Sequence, residues 1–144
     1  GAEPSEISWR SEDFTRIAAY QLADEDAAVA RAARDGARLV VCDTDALATA
    51  IWHERYLGEP SPAVRRVAAA RRYDLYLLTG DEIPFVQDGL RDGEHVRGWM
   101  TARFRTELAA RPEPWVEVTG TRQQRLATAV AAVTPLLAGG PRRP

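Results

Sequence analysis

The 144 residues predict an α/β domain: a parallel sheet with helices on both faces. Short continuous apolar runs, such as Leu39-Val40-Val41-Cys42 and Leu75-Tyr76-Leu77-Leu78-Thr79, suit strands buried on both faces. These runs alternate with stretches of helical periodicity, the pattern of parallel strands joined by right-handed crossovers. An apolar content of 45% is enough for one core in a chain of this length.

Gly1 to Ser8 are small, polar and acidic, and the chain opens with Gly in place of Met. A processed, cloned or truncated start is expected, with residues 1–10 a disordered or linker segment. Ser11-Glu12-Asp13-Phe14 reads as a helix start, and Phe14, Ile17, Ala18, Leu22, Val29 and Ala33 continue at helical spacing until Gly36. One long helix over Glu12–Asp35 follows, with a break expected near Asp24. The first strand is expected at Arg38–Cys42, the second at Asp74–Thr79 and a third, weaker one at Trp115–Thr119. Helices are expected at Ala46–Leu57, Ala63–Arg72, Glu94–Ala110 and Arg122–Leu137, the last closed by Ala138-Gly139-Gly140-Pro141. Trp99 and Phe104, at helical spacing, are expected to face the core. The domain is read over 11–138, with 139–144 a flexible Gly/Pro/Arg tail.

Composition excludes several function classes. Nineteen cationic residues against twenty-one acidic ones give a net charge of −2, with no basic block longer than an Arg-Arg pair such as Arg142-Arg143, so no nucleic-acid partner is expected. All nineteen cations are Arg, which removes any phosphate-gripping or Schiff-base lysine. A single Cys42 and two His leave no disulfide framework and no zinc-ligand cluster. No run approaches the ~20 apolar residues that span a bilayer. A soluble protein of the reducing cytoplasm, with no membrane partner, is expected.

Ligands of open α/β sheets bind outside the carboxyl ends of the strands, which directs attention to the segments after Cys42, Thr79 and Thr119. The first is Asp43-Thr44-Asp45, followed by a helix bearing Thr49, Trp52, His53 and Tyr56. A carboxylate at a strand end can hold magnesium or accept the proton of an attacking hydroxyl; equally, Asp45 or Thr44 can serve as a helix cap and nothing more. Trp52 and Tyr56, one helical turn apart, are either a packed pair or an aromatic wall for a flat ligand. His53 reads as an ordinary helix residue rather than a base. The second segment, Gly80 to Arg91, holds acids, an aromatic, Gly89 and an arginine. Its two readings are a lid, with Arg91 neutralising a transferring phosphoryl group aided by Arg97 or Arg103, and a solvated connection turned by Asp88-Gly89. The third, Gly120-Thr121-Arg122, either lies along a purine ring or owes its glycine to backbone geometry.

In order, the segments Val41-Cys42-Asp43-Thr44-Asp45-Ala46-Leu47-Ala48-Thr49, Tyr56-Leu57-Gly58-Glu59-Pro60, Tyr73-Asp74-Leu75-Tyr76-Leu77-Leu78 and Ile83-Pro84-Phe85-Val86-Gln87-Asp88-Gly89-Leu90-Arg91 resemble the NadR-type ribosylnicotinamide kinase domain. The resemblance runs from about Ser11 to Val133. It implies a three-layer P-loop kinase-like parallel sheet with helices on both faces. It also implies transfer of the γ-phosphoryl of ATP, with Mg, to the 5′-hydroxyl of nicotinamide riboside. By the same resemblance Asp43 is the acidic residue at the strand end, catalytic and metal-binding, Asp45 its catalytic neighbour and Arg91 the lid arginine. Trp52, Tyr56, Phe85 and Asp88 are expected to face the substrate, and Arg97, Gly120, Thr121 and Arg122 the nucleotide. Phe85 stands where the family usually shows Trp.

The family's first strand and its glycine-rich loop ending in Gly-Lys-Ser/Thr have no counterpart here. In that topology the missing strand lies between those ending at Asp43 and Thr79, so the domain is expected to be incomplete. Its P-loop segment is expected in a longer parent chain, and the isolated chain is expected to be inactive. Two rival classes stand beside this reading: a kinase for another nucleoside or small alcohol, and a non-catalytic nucleotide-binding or interaction domain.

Overall fold

The computed structural model describes residues 8–80 and 94–138. The chain divides into two compact units, Gly1–Arg72 and Tyr73–Pro144.

The first unit is three helices, α1 (Ser11–Asp35), α2 (Ala46–Leu57) and α3 (Pro62–Ala70), each packed on the other two. Local signals fix their ends. Glu12 and Asp13 lie in the first turn of α1 and Arg34 in its last, the distribution that the helix dipole favours. Gly36 closes α1 in the left-handed region at φ 73°, and the Ala37 N–H returns to the Ala32 carbonyl at 2.8 Å. At Asp24 the helix continues unbroken, because neither glycine nor proline interrupts the hydrogen-bond ladder there. Asp45 caps α2 by accepting the Ala48 N–H at 2.9 Å, and Gly58, at φ 77°, ends it. Ser61 caps α3 by accepting the Val64 N–H at 3.2 Å, with Pro62 at the first helical position. Phe14 and Ala18, Ala46, Leu47, Ala50 and Ile51, and Val64 and Ala68 are buried. Each large one of these contributes about 1.5–3 kcal/mol on leaving water.

The second unit holds β1 (Tyr76–Thr79), α4 (Glu94–Ala110), β2 (Trp115–Val118) and α5 (Arg122–Ala138). The two strands pair in parallel, with Tyr76 opposite Trp115 and Thr79 opposite Val118. α4 packs on β1 and α5 on β2. On α4 the buried positions are Val96, Met100, Thr101 and Leu108. Trp99 lies outside that stripe and is exposed, and Phe104 is half-buried, so the expected core placement fails for Trp99. At the start of α5 the Thr121 hydroxyl accepts the Gln124 N–H at 3.1 Å while the Gln124 side chain accepts the Thr121 N–H at 2.8 Å. This is a reciprocal capping box. Gly120 precedes it at φ 93°, where a β-carbon would collide with the Gln124 side chain.

Three parallel strands were expected and two are present among the described residues. Arg38–Cys42 forms no strand, with Val41 80% and Leu39 41% exposed. An apolar run of this kind becomes a strand when neighbours satisfy its backbone and cover both faces. Those neighbours are missing among the described residues, so local propensity alone does not make a strand. No helix among the described residues is long and apolar enough to cross a membrane.

Candidate functional site

In the first unit the apolar run ends at Asp43, which is exposed. The backbone then turns at Thr44, the sole non-glycine residue of positive φ among those described, at 62°. For a β-branched side chain this conformation is costly, roughly 1–2 kcal/mol. The Gln21 amide donates to the Thr44 carbonyl at 3.3 Å. One residue on, Asp45 is buried, and its backbone carbonyl accepts the Thr49 N–H at 3.2 Å and the Thr49 hydroxyl at 3.3 Å. The turn therefore sends neighbouring carboxylates to different environments: Asp43 outward to water, Asp45 inward to the head of α2.

Cys42 sits beside buried Glu25. Burial, the hydrogen bond to Glu25 and the negative charges of Glu25 and Asp45 push its thiol up to about 11, against a smaller opposing pull from Arg71. At neutral pH Cys42 is a protonated thiol and a poor nucleophile or metal ligand.

On α2, Trp52 and Tyr56 stack with ring centroids 5.6 Å apart and planes 18° from parallel. Tyr56 also meets Trp9 at 5.8 Å and Phe14 at 6.3 Å, and the Arg55 guanidinium lies 5.7 Å from its centroid. Tyr56 remains 43% exposed. The packed pair is present, and an edge of it is open to solvent.

Between these aromatics lies a contact that sequence reasoning missed. His53 is 2% exposed, with Nε2 2.9 Å from the Ser11 hydroxyl and Nδ1 2.8 Å from the Glu59 carbonyl. Ser11 is forty-two positions away in the chain, and helical periodicity carries no signal for such a contact.

In the second unit Arg97 is half-buried on α4, and its backbone carbonyl accepts the Thr101 hydroxyl at 3.0 Å. Gly120, Thr121 and Arg122 are exposed at the junction of β2 and α5, where the Thr121 side chain is engaged in the capping box. Phe85, Asp88 and Arg91 lie outside the described residues. The structure thus groups Asp43, Asp45, Trp52 and Tyr56 within the first unit, and Arg97, Gly120, Thr121 and Arg122 within the second.

A family model described as an AAA domain matches residues 2–125. The chain belongs to the AAA domain family. No curated protein and no solved structure matches it. An AAA domain is a P-loop nucleotide-binding domain, so the groups to account for are nucleotide phosphates and the magnesium that accompanies them. Among the described residues no three His, Cys, Asp or Glu side chains gather to hold a metal. Magnesium does not require such a cage, since it is commonly held by one or two carboxylates with water and substrate phosphates. In this AAA domain Asp43, a hard and exposed oxygen donor, fits that role, whereas the carboxylate of Asp45 is buried and hydrogen-bonded to the head of α2.

Proposed function

We propose that this AAA domain chain forms the later part of an ATP- and magnesium-dependent nucleoside kinase whose acceptor is nicotinamide riboside. The observation that supports the reading best is the Asp43-Thr44-Asp45 turn. It presents one exposed carboxylate at the end of an apolar run, immediately before a helix carrying the Trp52 and Tyr56 pair.

Asp43 takes the proton of the acceptor's 5′-hydroxyl as that oxygen bonds to the γ-phosphorus. The bond from the γ-phosphorus to the bridging oxygen breaks and ADP leaves with the electron pair. Asp43 would be the residue to hold magnesium, which would supply charge neutralisation at the phosphates. Asp45 keeps the turn in register by anchoring α2. Trp52 and Tyr56 offer ring faces to the flat base of the acceptor, and Phe85 and Asp88, outside the described residues, are assigned to the acceptor by sequence alone. Arg91, aided by Arg97, offsets charge on the transferring group. Gly120, Thr121 and Arg122 border the purine of ATP.

The chain has no lysine and no Gly-Lys-Ser/Thr loop, so the phosphate cradle is supplied by residues outside these 144. Alone, the chain lacks the main electrostatic stabilisation of phosphoryl transfer and turns over little. Phe85, standing where the resembling family usually shows Trp, favours a second reading in which the acceptor is another nucleoside.

The test is Asp43→Asn in a protein that carries both this chain and a phosphate-binding loop. Turnover of nicotinamide riboside should fall about a hundredfold or more with the melting temperature unchanged, the usual size of a general-base contribution. Near-normal turnover by the folded variant sinks the assignment. Preference for another acceptor across a nucleoside panel, with the same loss in the Asn variant, selects the second reading.

A further inference from the structure

We propose that Ser11 is a nucleophile activated by His53, able to take an acyl group from short activated esters. The proposal uses the first unit alone and requires no nucleotide, so it stands apart from the kinase reading.

The tautomer follows from the hydrogen bonds. The Glu59 carbonyl can only accept, so Nδ1 of His53, 2.8 Å away, carries the ring proton. In the neutral imidazole Nε2 is then the acceptor, and the Ser11 hydroxyl, 2.9 Å away, donates to it. A nucleophile bonded to a base whose other nitrogen is fixed by a third group is the arrangement that activates serine. Here the third group is a carbonyl oxygen. The edge-on contact of the His53 ring with Phe14, at 5.2 Å and 68°, holds it in an apolar setting.

The hydroxyl is reachable. Ser11 is exposed and, with Glu12, Thr15, Arg16, Ala19 and Ala63, lines an open groove of about 500 Å³. The small apolar walls at Ala19 and Ala63 suit a short acyl chain. Ser11 is also the first residue of α1. The Arg10 N–H is bonded to the Asp13 carboxylate at 2.9 Å and the Asp13 N–H to the Arg10 carbonyl at 3.0 Å. The N–H groups of Ser11 and Glu12 belong to the same first turn, where no carbonyl four residues back lies within the helix to receive them.

In the reaction the Ser11 oxygen bonds to the ester carbonyl carbon while its proton passes to Nε2 of His53. Collapse of the tetrahedral adduct breaks the bond to the leaving oxygen, which departs with that proton. The product is acyl-Ser11 and a free alcohol or phenol. If the Ser11–His53 bond only fastens α1 to α2, none of this occurs.

The experiment treats the chain with p-nitrophenyl acetate and follows p-nitrophenol release, intact mass and the labelled peptide. One acetyl group should appear on Ser11, be lost in Ser11→Ala, and form about a hundredfold more slowly in His53→Gln. Because His53 is buried and its loss can unfold the unit, a second arm keeps it. Ser11→Cys should react with iodoacetamide near pH 6 about tenfold faster than Ser8→Cys at a neighbouring exposed position, because a paired histidine lowers a thiol's pKa. Absence of acetyl on Ser11, an unchanged rate in folded His53→Gln, or equal alkylation of the two cysteine variants overturns the proposal.

Discussion

Both prongs of the Arg111 guanidinium reach the Glu113 carboxylate, Nε to one oxygen and Nη2 to the other, each at 3.1 Å, just before β2. The Tyr73 N–H adds a third bond at 3.2 Å, and Arg111 also lies 5.7 Å from the Tyr76 ring centroid. Burial pushes the Glu113 carboxyl up, but these donors outweigh it and hold the group below its ordinary value. A carboxylate depressed in the folded state contributes stability that is complete above its unfolded pKa and is lost as pH falls through the folded one. Glu113→Gln should therefore lower unfolding free energy by about 2 kcal/mol at neutral pH. Urea titrations of both proteins should converge as the pH falls through the carboxyl range. An equal gap at about pH 3 would contradict a charge-based origin.

Thr44→Gly should raise stability by roughly 0.5–1 kcal/mol, because relief of the left-handed strain exceeds the added freedom of the unfolded chain. Thermal melts would register this as a higher midpoint. A lower midpoint would mean that the Thr44 side chain makes a stabilising contact larger than the strain.

Asp45→Ala should cost about 1 kcal/mol and Asp45→Asn only a few tenths, since Asn accepts the Ala48 N–H as Asp does. Chemical denaturation distinguishes the two. A large loss in the Asn variant would show that the negative charge of Asp45 matters beyond the cap.

Cys42 should react with a disulfide reagent near pH 8 about a hundredfold more slowly in the native protein than after unfolding, because its thiolate fraction is so small. Glu25→Gln removes the adjoining negative charge and should speed the reaction, although burial, the largest contribution, persists. Equal rates before and after unfolding would refute the protonated-thiol description.

Much of the helical framework is legible in the sequence because its boundaries are local chemistry. Asp45 and Gly58 bracket α2, and Gly36 ends α1, each by hydrogen bonds within a few residues of the boundary. The strand expected at Arg38–Cys42 was not so determined. Its fate depends on neighbours distant in the chain, and apolar character predicts burial only when something is there to bury it. The packed Trp52–Tyr56 pair and the cap at Asp45 were legible from spacing. The opposite exposures of Asp43 and Asp45 depend on the backbone angle at Thr44, which no composition rule anticipates. The Ser11–His53 contact was hidden for a different reason: it joins two helices by one hydrogen bond, between residues common on any helix surface.

The parallel pairing of β1 with β2 bears on the order in which the second unit assembles. Tyr76 and Trp115 are partners, yet the chain from one to the other must travel through the whole of α4. Closing a loop of about forty residues carries an entropic cost before the first rung of the ladder forms. A four-residue ladder returns little until it is covered. A helix, by contrast, gains its bonds locally and within microseconds. A preformed α4 would shorten the effective path between the strands, and α4 on β1 with α5 on β2 would supply the cover that the ladder needs.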